Sequence, residues 1–74
     1  MNFYQIRQTM TDDAYDIVSA FSMATSLTLQ AIVYITGQEE HATRFILEQM
    51  ASLDVAVEDN GLWQLTEGFK ASAR

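Results

Sequence analysis

Apolar residues recur at helical spacing through the first two thirds of the chain and switch to alternation near residue 54. Ala14, Ile17, Val18, Phe21 and Ala24 fall at three- and four-residue steps, which predicts a helix over 12–24. Thr11 precedes it as an N-cap, and Asp12 and Asp13 put negative charge where the helix dipole favours it. Met10 and Tyr15 occupy the two staple positions around that cap. Thr25 and Ser26 interrupt the run, and Thr28 caps a second helix predicted over 28–36. Leu29, Ile32 and Val33 point inward there, and Gly37 suits a left-handed stop. A third helix is predicted over 39–53. With Ile46 at the centre of its buried face, Ala42, Thr43, Met50 and Leu53 lie within about 60°. Glu40, His41, Arg44, Glu48 and Ala51 then face outward, with Phe45 and Leu47 on the two flanks.

Beyond Leu53 the period becomes two: Val55 and Val57 alternate with Ala56 and Glu58, and Leu62-Trp63-Gln64-Leu65 follows. Between them Asn60-Gly61 is a strong hairpin signal, because both residues tolerate positive φ. Thr66 closes the second strand, and residues 67–74 read as a tail or a final helical turn. Residues 1–10 have no clean period and read as an extension that packs on the body or on a second copy. One domain over 11–69 is therefore expected, with 70–74 as tail. Its expected core is Ile17, Val18, Phe21, Leu29, Ile32, Val33, Ile46, Met50, Leu53 and Leu65, with Trp63 covering the hairpin.

Helix, break, short helix, glycine turn, longer helix and hairpin is also an order of parts with a family likeness. The run 27–69, with Leu27-Thr28, Thr36-Gly37 and Trp63-Gln64-Leu65-Thr66, resembles bacterial winged helix-turn-helix regulators of the IclR-like and MarR-like kind. That resemblance implies a mainly α fold with a small β-hairpin: three helices plus a C-terminal wing. It also implies DNA contact through the third helix and the wing tip. Two positions depart from the pattern. Asp54 stands where a glycine commonly precedes the wing, a mild change because Asp tolerates left-handed conformations. The second departure is one of charge. The third helix and wing carry Glu39, Glu40, Glu48, Glu58 and Asp59 against Arg44.

Composition sharpens that conflict. The 74 residues include 4 basic and 10 acidic side chains, a net charge of −6, the wrong sign for a protein that neutralises phosphates. No cysteine is present, and His41 is the single histidine, which excludes thiolate chemistry and histidine-rich metal clusters. His41 lies beside Glu40 and Arg44 on the outward face and reads as a solvated side chain. The carboxylate pairs Asp12-Asp13, Glu39-Glu40 and Glu58-Asp59 lie at helix starts or a turn, where acids serve local structure. Glycines are isolated and no calcium-loop spacing occurs, so neither enzyme activity nor a cofactor or metal is expected. The most apolar window, Leu27–Ile35, is too short for a span, which needs roughly 20 residues. Without an export signal, a cytoplasmic location is expected.

Three functions from different classes follow. The first is protein binding, by an accessory regulator, antirepressor or phage-type inhibitor. Glu40, His41, Arg44, Phe45 and Glu48 would meet a basic partner, with Phe45 as anchor. The second is sequence-specific DNA binding by a dimeric transcriptional regulator through Gln38, His41, Arg44 and Gln49. The third is a structural role as a homodimer or assembly module, with the aromatic N-terminus (Phe3, Tyr4) and the first helix as the contact surface.

Overall fold

A computed structural model describes residues 11–71. The extension 1–10, with Met10 of the expected staple and Phe3 and Tyr4 of the expected dimer contact, lies outside the described residues, as does the tail end 72–74. The described chain is mainly helical, with four helices and a three-stranded antiparallel sheet.

Helix α1, Asp12–Ala20, starts as expected: the Ala14 N–H donates to Thr11 Oγ1 at 3.2 Å. It ends four residues earlier than predicted. The N–H groups of Phe21, Ser22 and Met23 donate to the carbonyls of Val18, Ser19 and Ala20 at 3.0–3.1 Å. Those tight i→i−3 bonds use up the last carbonyls and turn the chain out of the helix. Ala14, Ile17 and Ala20 form its buried stripe, leaving Val18 and Phe21 half-buried.

The sequence pattern did not reveal β1, Leu27–Thr28, which pairs antiparallel with a later strand. Thr28 serves two structures at once. Its extended backbone (φ −76°, ψ 162°) continues the strand, while its Oγ1 accepts from the Ala31 N–H at 3.1 Å and caps helix α2, Leu29–Thr36. Gly37, at φ 71°, ends α2 in the left-handed region, and its N–H donates to the Val33 carbonyl at 2.8 Å. Ile32 is the fully buried residue of α2; Leu29 and Val33 are half-buried.

Helix α3, Glu40–Ser52, is rotated from the predicted setting. Its buried stripe is Thr43, Leu47 and Met50; Ile46 is half-buried and Ala42 is exposed. A threonine can take the central place because its buried hydroxyl donates to the Glu39 carbonyl at 2.9 Å. Leu53, expected in the core, is 49% exposed. The helix stops at this residue, and Asp54 turns the chain through φ 62° before Val55 re-enters the core.

Strands β2, Ala56–Asp59, and β3, Leu62–Leu65, form the expected hairpin. Asn60 and Gly61 both have positive φ, 54° and 81°. The sheet order is β1-β3-β2, so β3 is central and, among the described residues, β2 has one open edge. Trp63 on β3 is buried against the core, as expected, and Leu65 is half-buried. Helix α4, Glu67–Ala71, then folds back. Thr66 fixes it: its hydroxyl donates to the Asp54 carbonyl at 2.8 Å and accepts from the Phe69 N–H at 3.2 Å. Phe69, inside the expected domain and in the segment read as a tail or a final helical turn, lies in that turn and is fully buried.

Candidate functional site

The rotation of α3 decides what its outer surface presents. Taking Thr43, Leu47 and Met50 as the inward direction, 100° steps place His41, Phe45, Glu48 and Ser52 at the outward centre. Phe45, expected at a flank, is 60% exposed and sits near the middle of this face. Glu40 moves the other way. It is half-buried at the flank, where its carboxylate accepts a hydrogen bond from the Gln30 side-chain amide of α2. Glu40 therefore helps hold α2 against α3 and does not stand on the outward stripe.

The DNA-reading set divides in the same way. Gln38 is half-buried, with its amide donating to the Asp13 carbonyl at 3.0 Å and its Oε1 facing the Thr43 hydroxyl at 3.5 Å. The bond to Asp13 ties the start of α1 to the start of α3 and commits one of the amide's two N–H donors. His41, Arg44 and Gln49 remain exposed.

Glu39 caps α3, accepting from the Ala42 N–H at 3.0 Å. Hydrogen bonds from the backbone N–H groups of His41 and Ala42 hold its carboxyl below the ordinary value, helped by the charge of His41. This acid is explained by local structure.

Arg44 and Glu48, one turn apart, form with Ala51 the α3 wall of a groove of about 440 Å³. The opposite wall is β2, through Ala56, Val57 and Glu58, with Asp54 and Trp63 completing the lining. Among the described residues the ion pair present is Lys70–Glu67 at 3.0 Å, so Arg44 makes none. The groove therefore presents three carboxylates and one free guanidinium. Sequence reasoning assigned Glu58 to the wing without connecting it to Arg44 and Glu48. A two-residue Asn-Gly turn pairs Glu58 with Trp63, and this register was the available signal that Glu58 shares the face of the buried indole.

No three side chains among the described residues come together as a metal-binding group, and no described helix is long and apolar enough to cross a membrane. No family model, curated protein or solved structure matches this chain.

Proposed function

We propose that this chain is a small acidic winged helix-turn-helix regulator or inhibitor that binds a protein with a basic surface through α3 and the hairpin. The order of elements supports the fold reading, with α2, the Gly37 turn and α3 as the helix-turn-helix and β2–β3 as the wing. One observation carries the functional reading. The surface a DNA-binding relative would use combines Glu48, Asp54, Glu58 and Asp59 with a well-exposed Phe45, and offers Arg44 as its cation. An acidic field speeds encounter with a basic partner, and an exposed aromatic retains it. A duplex, carrying one negative charge per roughly 1.7 Å, is repelled by the same field. Regulation of transcription by capturing a DNA-binding protein, as an antirepressor or phage-type inhibitor does, fits this chemistry.

Direct DNA binding is the second reading. Exposed His41, Arg44 and Gln49 favour it, and the engagement of Gln38 weighs against it. Retention of the purified chain on non-specific duplex at low salt separates the two, because low salt exaggerates phosphate affinity. The protein-binding reading expects no retention. Retention with a steep salt slope would overturn it.

A further inference from the structure

We propose that the groove between α3 and β2 receives an extended segment of the basic partner, which adds to β2 as a further strand and places arginine or lysine side chains among Glu48, Asp54 and Glu58. This rests on the reading of the partner as a basic protein and specifies how it is held.

The register of the hairpin sets which groups β2 presents to the groove. Successive strand residues point to opposite faces, yet Ala56, Val57 and Glu58 all line the groove. A groove touched by three consecutive residues runs along the edge of the strand. Asp59 and Leu62 flank the two-residue turn, and the Val55 carbonyl accepts from the Thr66 N–H at 2.9 Å. Positions 55, 57 and 59 thus carry the ladder to β3, and Ala56 and Glu58 direct their N–H and C=O groups to the open edge. An open edge is a template for an added strand.

Charge selects the occupant. Three carboxylates against one guanidinium favour a cationic segment, and Arg44 with Glu48 and Ala51 makes a straight wall at i, i+4 and i+7. A second copy of this chain, at net charge −6, is repelled. Trp63 adds an independent sign. It lines the groove at 6% exposure, and its indole N–H has no hydrogen-bond partner among the described residues. A buried indole usually finds an acceptor, and a polar side chain of a segment in the groove can supply one.

The test titrates the ¹⁵N-labelled full chain at low salt with a peptide alternating arginine and valine, and with the same peptide N-methylated at alternate residues. Saturable shifts of the Trp63 indole N–H and the Glu58 amide are expected. N-methylation, and separately the double variant Glu48→Gln with Glu58→Gln, should each weaken binding about tenfold, with the circular dichroism of the variant unchanged. Equal affinity for the N-methylated peptide would overturn strand addition. Shifts confined to His41 and Phe45 would overturn the groove while leaving the protein-binding reading in place. Binding of duplex DNA and of neither peptide would overturn both.

Discussion

Alanine substitution at three successive residues of α3 reads out its rotation. Leu47 is fully buried, Ile46 is half-buried, and Phe45 is 60% exposed. Truncating a fully buried leucine costs about 2–5 kcal/mol from lost transfer energy plus the cavity left behind. Ile46→Ala, at a partly exposed position packed against the core, should cost less, about 1–2 kcal/mol. Phe45→Ala should stay within about 0.5 kcal/mol, because the ring buries little against its own chain. At roughly 0.05–0.15 kcal/mol per residue, the whole domain has about 4–11 kcal/mol to lose. A loss of about 3 kcal/mol at Leu47 should lower Tm by roughly 12–24 °C in a domain this small. Urea unfolding followed by circular dichroism, with Trp63 fluorescence as a second probe, gives the three values. Equal losses at Ile46 and Leu47, or a larger loss at Phe45, would refute the rotation and the outward face built on it.

Two further outcomes test the supports of that face. Because hydrogen bonds hold the Glu39 carboxyl below its ordinary value, its contribution to stability is present above the usual carboxylate range and is lost as pH falls through the lowered value. Glu39→Gln should therefore flatten the acid limb of the stability–pH profile, and an unchanged limb would refute the cap. Phe69→Ala should cost about 3–5 kcal/mol, enough to expose Trp63 in a small domain, and a stable variant with unshifted Trp63 emission would show that α4 does not hold the sheet.

The parts that were legible in sequence are those fixed by local chemistry. Asn60-Gly61, Gly37, Asp54 and the caps at Thr11 and Thr28 each act within a few residues, and each adopts the expected conformation. The rotation of α3 was not legible, because Thr43 is acceptable at the core only through its bond to the Glu39 carbonyl. Hydrophobicity alone favours Ile46 for that place. Leu53 carries an apolar side chain at a helical step, but the chain leaves the helix there to make the turn at Asp54. Strand β1 and helix α4 are too short to show a period, so Leu27 and Phe69 reach the core through pairing and capping that only the folded chain supplies. Of the candidate surface, Arg44 and Glu48 at helical spacing were readable together, whereas their meeting with Glu58 required the position of β2.

The claim that charge on this surface selects a basic protein over a duplex is tested most directly by reversing it. Glu48→Lys with Glu58→Lys is measured by fluorescence anisotropy at low salt against two labelled ligands, the alternating arginine–valine peptide and a non-specific duplex. Wild type should bind the peptide and leave the duplex free, and the reversed variant should lose the first and gain the second. Wild-type binding to the duplex that only strengthens on reversal, or peptide affinity indifferent to the change, would contradict the account.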